Sequence, residues 1–139
     1  MKNGLIVDAN GIQYWFLNGK VHREDGPAVI GLNGTQSWCR NGKRHREDGP
    51  AYIRADGTQH WHLNDNLHRE DGPAVIRPDG SKEWYLHLND TQIDLIGGVL
   101  KIGRSRPVEL ADPGSKAMIR RILKRRKITP VGWLAELVK

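Results

Sequence analysis

A chain of 139 residues with 37% apolar content can build one globular domain, or a small domain with an appendage, and excludes a second large core. Its lone cysteine, Cys39, cannot form an internal disulfide or by itself a zinc site, and nothing in the sequence activates the thiol. The net charge of +6 is unevenly placed: residues 1–100 hold 11 Lys/Arg against 13 Asp/Glu, or −2, whereas residues 101–139 hold 11 against 3, or +8. No apolar run approaches the ~18 residues of a membrane span, and "MKNGLIVDANG" is too weakly apolar for a secretory signal, so the chain reads as soluble and intracellular.

Leu5 and Val7 open a partial unit, after which the sequence is periodic: Trp15, Trp38, Trp61 and Trp84 stand 23 residues apart, and His22, His45 and His68 keep the same step. Two turn signals recur in each period. One is Asn10-Gly11, Asn33-Gly34, Asp56-Gly57 and Asp79-Gly80; the other is Asn18-Gly19 and Asn41-Gly42, which degenerates to Asn64-Asp65. Such pairs tolerate the positive φ of tight hairpins. Between them lie short β-type runs such as "TQSWCRN" and "GPAYIRAD". Each unit therefore predicts two strands, and the periodic part a single-layer antiparallel meander of about eight strands over residues 4–88.

Period-two alternation sorts the faces. One carries Trp15/Leu17, Trp38/Arg40, Trp61/Leu63 and Trp84/Leu86, with Ala28/Ile30, Ala51/Ile53 and Ala74/Ile76 in the partner strands. Its uniformity predicts packing, at about 2–3 kcal/mol per buried Trp. The opposite face carries Tyr14/Phe16, Ser37/Cys39, His60/His62 and Glu83/Tyr85, which share almost no chemistry. That face is expected to meet solvent or a protein partner, with Tyr14, Phe16, His60, His62 and Tyr85 as the contact residues.

The heptapeptide HREDGPA occurs three times, from His22, His45 and His68. His, Arg, Glu and Asp together are a plausible metal or acid–base set. A structural device, however, must recur wherever the unit recurs, whereas active sites are seldom triplicated. The expected role is a bend before a strand, with φ fixed by Pro and the charged side chains paired to equivalents one unit along. No catalytic residue, metal ligand or cofactor is called for.

"NGTQSWCRNGKRHREDGPA" and "DGTQHWHLNDNLHREDGPA" resemble a variant of the MORN repeat. Asp56-Gly57, Trp61 and His68, and Asn41-Gly42-Lys43 with His45, match that family's aromatic, Asn-Gly-Lys and His positions; Arg-Glu-Asp between His and Gly, and the added Pro-Ala, depart from it. The HREDGPA form is similar to repeat proteins of bacteria and especially of their phages. The resemblance covers residues of about 4–90 and implies a β-repeat scaffold for protein contact, in some members for membrane phospholipid; it does not imply catalysis, and it points to the cytoplasm of a bacterial host. It further suggests a host protein as partner, a defence or toxin component that binding inhibits.

After Asp94, "LIGGVLKIG" is read as packing, either finishing the sheet or docking a helix. Asp112-Pro113 predicts an N-cap with proline in the first turn, and Met118, Ile119, Ile122 and Leu123 an apolar stripe on the helix that follows. Lys116, Arg120, Arg121, Lys124, Arg125, Arg126 and Lys127 surround the stripe with no acid among them. This set offers a surface for nucleic acid or for an acidic protein. Thr129-Pro130 predicts a second cap, opening "VGWLAELVK", so residues 91–139 read as a small basic helical hairpin beside a repeat domain at 1–90. Membrane binding is not expected, because the first helix has little apolar face to spare. A sheet with one uncovered apolar face also accommodates a homodimer.

Overall fold

The computed structural model describes all residues, 1–139. The protein is mainly β, an antiparallel meander with short helices at the C-terminal end. It divides into two compact units, Met1–Leu67 with Val75–Ser81, and His68–Ala74 with Lys82–Lys139.

The first unit contains strands and turns alone. It opens with β1 (Gly4–Val7), β2 (Gln13–Leu17) and β3 (Lys20–Val21), followed by β4 (Val29–Ile30), β5 (Gln36–Ser37), β6 (Cys39–Arg40) and β7 (Lys43–Arg44). The next copy supplies β8 (Tyr52–Ile53), β9 (Gln59–His60), β10 (His62–Leu63) and β11 (Asn66–Leu67), and β12 (Val75–Ile76) ends the unit. The long ladder runs β1-β2-β4-β5-β8-β9-β12, every pair antiparallel.

The inner copies have four short strands where the sequence predicted two, because the run through each tryptophan changes partner there. Ser37 pairs with Tyr52 in the long ladder, while Cys39 pairs with Arg44 in a separate hairpin, β6–β7; β10–β11 repeats this. Trp38 is the hinge, its N–H donating to the Ala51 carbonyl at 2.7 Å and its carbonyl accepting from the His45 N–H at 3.0 Å. The hairpin turns have two successive positive φ angles: 53° and 81° at Asn41-Gly42, and 49° and 70° at Asn64-Asp65. The degenerate third copy thus keeps the mirror-image turn that Asn and Asp can adopt. The other turns rest on a carboxylate or amide oxygen that accepts an N–H two residues on, as from Thr35 to Asn33 and from Thr58 to Asp56.

Register confirms the sorting of faces, since Tyr14, Val29, Ser37, Tyr52, His60 and Val75 lie in one cross-strand row and Gln13, Ile30, Gln36, Ile53 and Gln59 in the row facing the other way. Burial does not follow the expected division. The tryptophans are half-buried, whereas Ser37, Cys39 and His62 on the variable side are buried, Cys39 to 8% exposure and His62 to 7%. The change of ladder at Trp38 and Trp61 draws the residue that follows, Cys39 or His62, inward. The uniform face is most deeply buried at Ala28 and Ala51, which have no exposed surface.

In the second unit, β13 (Lys82–Leu88), β14 (Thr91–Ile96), β15 (Val99–Ile102) and β16 (Val108–Glu109) form a regular antiparallel meander. "LIGGVLKIG" therefore finishes the sheet, with Gly97-Gly98 as the hairpin turn, and strands continue well past residue 88. Two helices follow, α1 (Ser115–Arg125) and α2 (Gly132–Leu137). Leu86, Ile93, Leu100, Ile102, Ile119 and Leu134 are fully buried in one core between strands and helices. At about 2–3 kcal/mol per side chain this cluster is the main apolar stabilisation of the unit.

The helix starts differ from expectation. Gly114 at φ 80° precedes α1, and Asp112-Pro113 lies in the preceding turn; Val131, not Thr129, precedes α2. Neither start has a side-chain cap, because tertiary packing fixes both helices. Met118 is largely exposed, so the apolar stripe of α1 narrows to Ile119, Ile122 and Leu123.

Candidate functional site

Each HREDGPA loop is built as a clamp. Arg23 donates through Nε to Asp25 at 3.0 Å and through Nη1 to the Pro27 carbonyl at 3.2 Å; Arg46 and Arg69 repeat both bonds on Asp48 and Pro50, and on Asp71 and Pro73. The guanidiniums of Arg23 and Arg46 lie 4.0 Å above the rings of Trp15 and Trp38, a cation–π stack that roofs the indoles. The arginine therefore pairs within its own copy, not with an equivalent one unit along as expected. The guanidinium holds the Asp25 carboxyl below the ordinary range through that hydrogen bond and its charge.

Histidine makes the link between copies. His22 Nδ1 accepts the Asn41 N–H at 3.0 Å, His45 Nδ1 that of Asn64 at 3.1 Å, and His68 Nδ1 that of His87 at 3.0 Å. With Nδ1 an acceptor, the neutral ring carries its proton on Nε2, which faces Glu24, Glu47 or Glu70 at 3.4–3.6 Å. At the first turn, where no histidine precedes, Asn3 Oδ1 accepts the Asn18 N–H at 2.8 Å. The heptapeptide is thus a splice between repeats, and no group of three or more His, Cys, Asp or Glu is gathered in metal-binding array.

The proposed contact residues separate. Tyr14 and Phe16 are adjacent and half-buried, with ring centroids 6.2 Å apart. His60 is half-buried, stacked on His62 at 5.9 Å and edge-on to Tyr52 at 5.4 Å. His62 backs this group from inside, donating from Nδ1 to the Asp65 carbonyl at 3.3 Å. Tyr52 is an addition to the expected set, hidden in sequence between the regular Ala51 and Ile53; it carries the Arg44 guanidinium at 4.0 Å and Arg54 at 5.8 Å. Tyr85 lies in the second unit, its hydroxyl donating to Glu83 at 2.6 Å.

Burial, with repulsion from His62, Arg54, Arg44 and Arg77, pushes the His60 ring down to about 4; burial lowers His62 too. A ring held neutral in the fold and ordinary when unfolded stabilises the protein above pH ~6.5, and that contribution is lost as pH falls toward about 4. With solvent screening of a half-buried ring, the expected loss is about 1–2 kcal/mol between pH 7 and 4.5. Urea denaturation at the two pH values checks it, and His60→Phe should flatten the dependence.

The seven basic residues on α1 and just beyond its end fall into two groups. Lys116 Nζ donates to the Lys139 carbonyl at 3.0 Å, Arg120 Nε to that of Val138 at 2.7 Å, and Arg126 Nε to Ser105 Oγ at 3.1 Å. The first two hold the last residues after α2, where helix carbonyls point outward. Arg121, Lys124, Arg125 and Lys127 are exposed and make no side-chain hydrogen bond or ion pair. No helix is long and apolar enough to cross a membrane. No family model, curated protein or solved structure matches this chain.

Proposed function

We propose that this is a non-enzymatic binding protein of phage or bacterial type, a MORN-like chain of HREDGPA repeats whose sheet engages a host protein, a defence or toxin component, and inhibits it by occupying it. One observation carries the reading. The repeated letters build the frame, arginine clamping its own loop and histidine Nδ1 joining the next copy, while Tyr14/Phe16 and Tyr52/His60 give the same scaffold a different surface in each copy. A constant frame with varying aromatic and basic positions suits specific protein contact, where Tyr and Arg contribute most.

A second reading rests on Arg121, Lys124, Arg125 and Lys127, which no acid neutralises. Four phosphate contacts give binding to nucleic acid that weakens about a hundredfold between 50 and 200 mM salt. Pull-downs from host lysate, with and without nuclease, separate the two. Retention that survives nuclease and high salt and disappears in a Tyr14→Ala/Phe16→Ala/His60→Ala variant supports the protein partner. Retention on heparin or DNA that falls steeply with salt and is abolished by reversing the four basic residues to Glu supports the second reading and counts against the first.

A further inference from the structure

The third HREDGPA loop carries an occupant that the first does not. Trp133 donates its indole Nε1–H to the Arg69 carbonyl at 3.0 Å and its backbone N–H to the Glu70 carbonyl at 2.9 Å. The second bond satisfies a donor in the first turn of α2 that has no partner within the helix. Gly132, at φ 53°, lets the two backbones meet: a Cβ there would lie 2.7 Å from the Glu70 carbonyl carbon and from its Cβ, and closer still to the carbonyl oxygen. Leu86 belongs to the buried core against which Trp133 packs.

The first loop has the same letters and the same clamp, from Arg23 to Asp25 and Pro27, yet nothing in the chain donates to the carbonyls of Arg23 and Glu24. Those residues border a groove of about 620 Å³ whose walls include Trp38, Arg40, His45 and Arg46. That volume holds an indole with room for the flanking chain. Arg40 stands where Leu86 stands beside the occupied loop, two periods on.

We propose that the first HREDGPA loop docks a partner polypeptide that turns through a positive-φ glycine into a tryptophan at a helix start, with the tryptophan's two N–H groups on the Arg23 and Glu24 carbonyls. The second loop repeats the letters, and nothing in the chain donates to the carbonyls of Arg46 and Glu47 either. The surface is the loop ridge and not the variable strand face, so the inference stands or falls apart from the reading above.

The test uses the full-length, ¹⁵N-labelled chain titrated with a synthetic peptide of residues 129–139, TPVGWLAELVK, and with the same peptide carrying Ala for Gly. Saturable amide shifts at Arg23–Gly26 and Cys39–Arg40, weakened about tenfold or more by the added methyl, are expected. An Arg40→Leu chain, whose groove then carries the residue found two periods on, should bind the glycine peptide several-fold more tightly. Absence of saturable shifts at the first loop, shifts indifferent to the glycine, or shifts confined to His68–Ala74 through exchange with the chain's own helix would each overturn the proposal.

Discussion

Gly132→Ala is expected to lower the stability of the second unit by about 3–5 kcal/mol, the largest effect of any added methyl in the chain. Two penalties act together. At φ 53° an L side chain costs about 1–2 kcal/mol, and its Cβ collides with the backbone of Glu70, which cannot swing away as a flexible side chain would. Relief requires α2 to retreat, which breaks both Trp133 bonds and draws fully buried Leu134 out of the core. Gly114→Ala is the control, because that residue has φ 80° but open space around it, so only the conformational cost of about 1–2 kcal/mol applies. Urea denaturation of both variants, with amide exchange at Leu134 and Ala135, checks the contrast; equal losses would show that the collision is relieved without undocking the helix.

Trp38→Ala should cost the first unit about 3 kcal/mol, through lost apolar contact and the lost stack beneath Arg46. The hinge position makes the loss local in cause but not in consequence, because Trp38 backbone groups join the long ladder to the β6–β7 hairpin through Ala51 and His45. Trp38→Phe should recover about half, since a ring remains for the guanidinium. Arg46 keeps its bonds to Asp48 and Pro50 in either variant, so a loop that stays ordered while the strand loosens is the expected exchange pattern. Leu32→Ala, at a position 74% exposed, should change stability by less than about 0.5 kcal/mol under the same denaturation assay.

The period, the turn residues and the two faces were legible in the sequence because each is a local property of backbone conformation: Asn41-Gly42 needs positive φ and Trp38 alternates with its neighbours. The change of partner at Trp38 was not legible. It depends on which carbonyl lies opposite, and alternation continues unbroken through it. The same blindness hid the burial of Cys39 and His62. Helix starts failed for a related reason, since Asp112-Pro113 has the letters of a cap but the core fixes where α1 begins. Among the basic residues, no local signal marks Lys116, Arg120 and Arg126 as tied to carbonyls and a hydroxyl, because their partners lie 18–23 residues away. Tyr52 and the carbonyls of Arg69 and Glu70 were missed outright; a backbone acceptor leaves no trace in side-chain identity.

Because each imidazole reaches only 19 residues ahead, copies are joined solely to their neighbours, and a chain can lengthen or shorten by whole 23-residue blocks without redesigning any junction. Every block added brings one more pair of carbonyls that the chain itself leaves without a donor. Valency is therefore a quantity that duplication alone can tune, and a partner carrying several matching segments would be held through avidity that grows with the number of blocks, with no single contact having to become stronger.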